Sequence, residues 1–109
     1  MSEHYLLVAS SDPWTHPGVG RCCELAADLA REGQRVTLFL VQNGVLPARP
    51  SPASAPLEAL ARQGIRVVAD EFSLRERGIA RSGLAPGVEP GALDVVIEAL
   101  EEGARVLWH

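Results

Sequence analysis

Two adjacent cysteines, Cys22 and Cys23, stand where the sequence predicts the opening turns of a helix. The unsatisfied N–H groups and the dipole at such a position favour a thiolate, and with it nucleophilic chemistry. The spacing separates the two. Cys22 belongs to the apolar series Cys22, Leu25, Ala26, Leu29 and reads as a small core hydrophobe. Cys23, about 100° further round the helix, falls at the edge of that stripe and is the better candidate for an accessible thiol. Its expected signature is preferential alkylation and a pKa below the ~8.5 of free cysteine. His16, in the loop before the helix, is close enough in sequence for a Cys–His couple. No C-x-x-C pair and no closely spaced histidines accompany them, so neither structural zinc nor a disulfide framework is expected, and no metal or cofactor is implied.

A second set of polar residues follows the ends of apolar runs: Ser10, Ser11 and Asp12 after the first, Gln42 and Asn43 after the second, Asp70 and Glu71 after the third. In an open parallel sheet the carboxyl ends of the strands are where ligands gather. Side chains converging there can bind a small polar group, position a partner's tail, or cap the helices that follow. Pro17-Gly18-Val19-Gly20 opens the first helix in the manner of a phosphate cradle. Cys23 stands where the last glycine of a dinucleotide fingerprint belongs, however, and the chain contains no lysine, which excludes a P-loop as well as Schiff-base chemistry. Trp14, Trp108 and the run Val45-Leu46-Pro47 offer more apolar surface than a small monomer tolerates and mark a subunit interface.

The elements that must hold these residues are legible. The runs at 4–9, 35–41, 65–69 and 104–108 are short, apolar and bounded by turn residues, as strands buried on both faces are. Between them lie an amphipathic helix ending at Gly33, a second marked by Pro56, Leu57, Leu60, Ala61 and its stop at Gly64, and a third from Pro90 through Leu93, Val96, Ile97 and Leu100 to Gly103. A short helix is predicted at 72–78. Residues 43–53 and 80–91, rich in Pro, Ala and Gly, read as surface loops. Strands alternating with helices through tight glycine joints specify a parallel sheet covered by helices.

At 109 residues, 47% apolar and 22% charged, the chain suits one domain spanning 1–109. A net charge of −4 without a basic cluster argues against nucleic acid. No apolar run approaches the ~18 residues of a membrane span and the N-terminus has no signal-peptide pattern, so a cytoplasmic protein is expected.

Four segments in order resemble the DsrE/DsrF/DsrH group, which includes the TusB, TusC and TusD sulfur-relay subunits: Ser11-Asp12-Pro13-Trp14, the run from Phe39 to Val45, the run from Ile65 to Ile79 containing Leu74-Arg75-Glu76-Arg77-Gly78-Ile79, and a last strand closing on Trp108. The Pro-Trp pair, closing Trp and short length are most similar to the DsrH/TusB branch. The resemblance implies a three-layer α/β/α fold with a small, mostly parallel sheet of about four or five strands. It also implies homo- or hetero-oligomers, and partners among sulfur-carrier proteins or sibling relay subunits that pass sulfane sulfur between cysteine persulfides. In the DsrE/TusD branch the acceptor cysteine lies about seven residues before the Arg-Gly pair, which here places Asp70 at that position. A carboxylate cannot form a persulfide, so the resemblance implies a binding or assembly component. Some DsrH-type subunits carry a first-helix cysteine instead, and Cys23 or Cys22 corresponds to it. The reading from another class is a small-ligand or catalytic α/β domain built on the polar strand ends.

Overall fold

The computed structural model describes residues 3–11 and 18–108. Five strands, β1 (His4–Ala9), β2 (Arg35–Leu40), β3 (Arg66–Asp70), β4 (Val88–Gly91) and β5 (Arg105–Trp108), form one sheet in the order β4-β3-β2-β1-β5. Every pairing is parallel, with Val8 opposite Phe39 and Trp108, and Phe39 opposite Val68. In β1, β2 and β3 side chains alternate between two cores, which is why these three strands read as continuous apolar runs. Leu7, Leu38, Leu40 and Val67 pack beneath α1 (Gly18–Arg31), α2 (Ala55–Arg62) and α3 (Glu71–Glu76). Leu6, Val8, Phe39 and Val68 pack beneath α4 (Asp94–Glu101).

Three expectations change. Residues 88–91 form an edge strand, not loop: only Val88 is buried there, and Pro90, which removes a ladder donor, is tolerated because the strand has a neighbour on one side alone. Residues 43–53 are not an exposed apolar loop. Most of them lie in two 3₁₀ segments, Gln42–Ala48 and Pro52–Ser54, and Val45, Pro47 and Ala48 are buried. The last helix begins at Asp94 and turns Val95 and Ala99 inward, one turn apart, leaving Leu93, Ile97 and Leu100 exposed.

This topology creates one special place. The chain leaves β3 for α3 on one face of the sheet and leaves neighbouring β4 for α4 on the other. The two loops diverge, opening a crevice beyond the carboxyl ends of β3 and β4.

Candidate functional site

A pocket of about 540 Å³ occupies that crevice. Val41, Asp70, Phe72, Leu93 and Trp108 supply walls from four different strand ends. Asp70 is its most constrained member. The last residue of β3, only 8% exposed, it caps α3: one oxygen, Oδ2, accepts from the Ser73 backbone N–H at 3.0 Å and from Ser73 Oγ at 2.7 Å. Ser73 Oγ in turn accepts from the Gln42 N–H at 2.8 Å. These bonds tie the end of β2 to the start of α3. Gln42 is the only non-glycine residue with positive φ (52°) among the described residues, a conformation that costs about 1 kcal/mol or more and needs such anchoring. Asn43 is held next to it, its Oδ1 accepting from Arg77 Nε at 3.2 Å and Nη2 at 3.0 Å, while Arg77 Nη1 donates to the Ser73 carbonyl at 3.2 Å.

Of the polar strand-end residues, Asp70 and Glu71 therefore meet at one pocket, with Trp108 across from them. Glu71 is paired with Arg81 at 3.0 Å. Ser10, Ser11 and Asn43 do not line the pocket, and Asn43 spends its carbonyl on Arg77. Asp12, Trp14 and His16 lie outside the described residues. In the sequence Gln42 stands out only as a strand-end residue, and nothing marks Phe72 or Leu93 as site residues. The spacing Asp70-x-x-Ser73 carried a signal for the cap, since an Asp followed by its hydrogen-bonding partner three residues on is a helix-start pattern.

The cysteines depart from expectation. Both are buried in the core beneath α1, Cys22 fully and Cys23 to 8% exposure, and neither lines the pocket. Cys23 is shielded because α1 packs against α2 as well as the sheet, so its buried face is wider than one stripe. Burial, with Cys23 as a neighbour, pushes the Cys22 thiol up to about 11, and burial with Glu24 nearby does the same to Cys23. The lowered pKa expected of Cys23 is thus reversed, and burial favours the protonated thiol at neutral pH. Native Cys22→Ser and Cys23→Ser proteins are both expected to resist iodoacetamide at neutral pH and to react on unfolding; rapid labelling of either would contradict the burial.

A second cavity, of about 640 Å³, lies at the opposite end of the sheet between Glu3, His4, Arg35 and Arg105. Its charges are mutually satisfied, Arg35 with Glu102 at 3.0 Å and Arg105 with Glu3 at 2.8 Å, and His4 Nε2 lies 3.0 Å from Thr37 Oγ1. Though larger, it stands at the amino ends of the strands, away from the switch point. Among the described residues no group of His, Cys, Asp and Glu could hold a metal ion, and no helix is long and apolar enough to cross a membrane.

A parallel five-stranded sheet covered by helices on both faces is the setting in which one family's model matches residues 3–109. The chain belongs to the DsrE/DsrF-like family. It is similar in structure to the YchN protein of E. coli, with 24% identity, a TM-score of 0.89 and full coverage of both chains. MTH1491 of Methanobacterium thermoautotrophicum, a protein of unknown function, aligns over all of both chains at 19% identity and a TM-score of 0.84. BT1422 of Bacteroides thetaiotaomicron, also of unknown function, aligns at 16% identity and a TM-score of 0.75, covering 96% of this chain and 94% of its own. At these identities the three show the fold alone. Among curated proteins none matches. The DsrE family is of the sulfur-relay type, and among the described residues the strand-end pocket of this chain is lined by the Asp70 carboxylate and by no thiol.

Proposed function

We propose that the chain is a cytoplasmic binding and assembly subunit of a sulfur-relay or sulfur-metabolism system, without the acceptor cysteine of DsrE/TusD-type members. One observation supports this reading: Asp70, which the family resemblance sets at the acceptor's position before Arg77-Gly78, accepts from Ser73 and caps α3. A carrier role for Cys23 or Cys22 would require α1 to open, because both thiols sit protonated in the core and, unlike position 70, neither lines the pocket through which a persulfide could arrive. The partners of this reading are a sulfur-carrier protein, sibling subunits or further copies of the chain. Exposed Ile97 and Leu100 on α4, with Val106, Leu107 and Trp108 on edge strand β5, supply the apolar contact surface.

Mass spectrometry after exposure to a small persulfide donor tests it. Wild type is expected to gain no sulfane sulfur, whereas Asp70→Cys gains one: its thiolate attacks the donor's outer sulfur, the donor S–S bond breaks, and the donor leaves as a thiolate. Loading of wild type would reinstate a native carrier thiol, and failure of Asp70→Cys beside a loaded control thiol would remove position 70 from the acceptor site. Light scattering at roughly tens of micromolar is expected to show an oligomer, with Ile97→Glu shifted toward monomer. A monodisperse wild-type monomer would count against the assembly role.

A further inference from the structure

Among the described residues, six of the seven large apolar side chains that stand exposed, Leu93, Ile97, Leu100, Val106, Leu107 and Trp108, belong to α4, its N-cap and β5. Most of them form one surface. Val106 and Trp108 pair with Leu6 and Val8 of β1, which point into the core beneath α4, so these two side chains lie on the α4 face of the sheet and Leu107 on the other. Helix α4 returns from β4 to β5 by the right-handed crossover of parallel sheets, antiparallel to the strands, with Val95 and Ala99 inward. At about 100° per residue that orientation turns Val96, Leu100 and Leu93 toward the β5 edge, with Ile97 beside them at the crest. Asp94, Glu98 and Glu101 fall on the opposite flank, toward β3. Leu93 and Trp108 accordingly line one pocket. The two sheet edges are also unlike. Edge strand β4 is guarded, Pro90 lacking an N–H and Glu89 pairing with Arg66, whereas Val106-Leu107-Trp108 carries neither charge nor proline.

We propose that β5 pairs antiparallel with β5 of a second copy of the chain, about a twofold axis at Leu107, so that two sheets become one. The pleat sets the register. Residues directly opposite in an antiparallel pair share a face, so a twofold axis through the pair sets one residue against itself. With Leu107 on the axis, Val106 stands opposite the partner's Trp108 and Trp108 opposite the partner's Val106, two aromatic–β-branched pairs on the α4 face, while Leu107 meets the partner's Leu107 on the other. Centring on Val106 would instead set charged Arg105 against the partner's Leu107. Charge placement is what selects a second copy as the occupant. In this arrangement the apolar flanks of the two α4 helices face each other across the joined strands, and both acidic flanks, Asp94, Glu98 and Glu101, turn away from the axis, so no like charges are brought together. The surface is the one assigned above to assembly, so the dimer rests on that reading and needs none of its sulfur chemistry.

Cross-linking of Leu107→Cys tests the axis directly. Opposed Cα atoms of an antiparallel pair lie about 4.5–5.5 Å apart, within disulfide reach, whereas the two Val106 positions are staggered along the strands to more than about 7 Å. Under mild oxidation Leu107→Cys is expected to form a reducible covalent dimer at least ten times more efficiently than Val106→Cys, with Cys22 and Cys23 kept out of the reaction by burial. Val106→Lys, a guarding charge at an exposed position, should raise the dimer dissociation constant at least tenfold by sedimentation with circular dichroism unchanged. Glu98→Lys, on the flank turned away, should leave it nearly unaltered. Equal cross-linking at 106 and 107, or unchanged association of folded Val106→Lys, would overturn the edge pairing while leaving assembly through another surface. A wild-type monomer would overturn it together with the assembly of copies, and would leave the edge to a strand of another protein.

Discussion

Gly44→Ala is expected to destabilise the protein by about 3 kcal/mol or more, the upper end of what overpacking costs. The strain is steric and falls on backbone, which cannot swing aside. A methyl group on Gly44 would overlap the carbonyl oxygen of Ala9 and stand 2.9 Å from its carbonyl carbon. That oxygen is engaged, accepting from the Val41 N–H at 3.0 Å, and Gly44 N–H donates back to the Val41 carbonyl at 2.9 Å. Relief therefore means lifting the turn after β2 away from the end of β1, which also pulls Gln42 from Ser73 and loosens the cap at Asp70. Urea unfolding provides the measurement, with Gly83→Ala as the control because an added methyl there meets nothing within 4 Å. A Gly44→Ala midpoint equal to that of Gly83→Ala would refute the close approach.

The second large effect is alkaline. Both thiols are held protonated in the fold, with pKa values raised to about 11, first by burial. An acid whose folded pKa is raised leaves its stabilisation complete below the unfolded pKa, and loses it as pH rises toward the folded value, since only the unfolded chain releases the proton in between. Stability should therefore fall between about pH 9 and pH 11, by on the order of 2 kcal/mol for the first thiol and less for the second, whose shift is partly mutual. The chain contains no lysine and a single tyrosine, so few other groups compete in that window. Urea midpoints at about pH 8 and pH 10.5 should differ strongly in wild type and weakly in a Cys22→Ala, Cys23→Ala protein. A parallel decline in both would assign the alkaline loss elsewhere.

Strands β1, β2 and β3 were legible because a residue buried on both faces of a parallel sheet must be apolar at every position, and runs such as Leu6-Leu7-Val8-Ala9 meet that demand without ambiguity, whereas the exposed edge strand β5 was legible only through its apolar run Val106-Leu107-Trp108. Strand β4 escaped because an edge strand is under no such demand: Val88-Glu89-Pro90-Gly91 contains one buried residue and two turn formers. Helix α4 was legible as a helix but not in its orientation. Apolar side chains at Leu93, Val95, Val96, Ile97, Ala99 and Leu100 encircle it, so periodicity cannot choose a face, and packing against β1 selected the smaller pair, Val95 and Ala99. At the site, Asp70 and Glu71 could be named from the rule that polar chemistry collects at strand ends, whereas Trp108 pointed only to a subunit interface. Leu93 and Phe72 could not, since both look like core residues until the divergence of α3 and α4 leaves them at a crevice. The error over Cys23 has the same origin, because a helix wedged against a second helix buries more of its circumference than its own sequence pattern declares.

The pairing of β5 with β1 places Val8 opposite Trp108, so the pocket wall that Trp108 supplies is joined to the sheet across nearly the whole described sequence. Contacts so distant in sequence close the largest loop and are favoured late in folding, after local units such as β2 through β3 have formed. Edge strand β5, with one pairing neighbour and four exposed residues, is also the part of the sheet least defended against partial unfolding. The pocket wall that Trp108 supplies is therefore expected to form late and to open early, so that in the dissociated subunit β5 amides should exchange faster than those of β2 and β3.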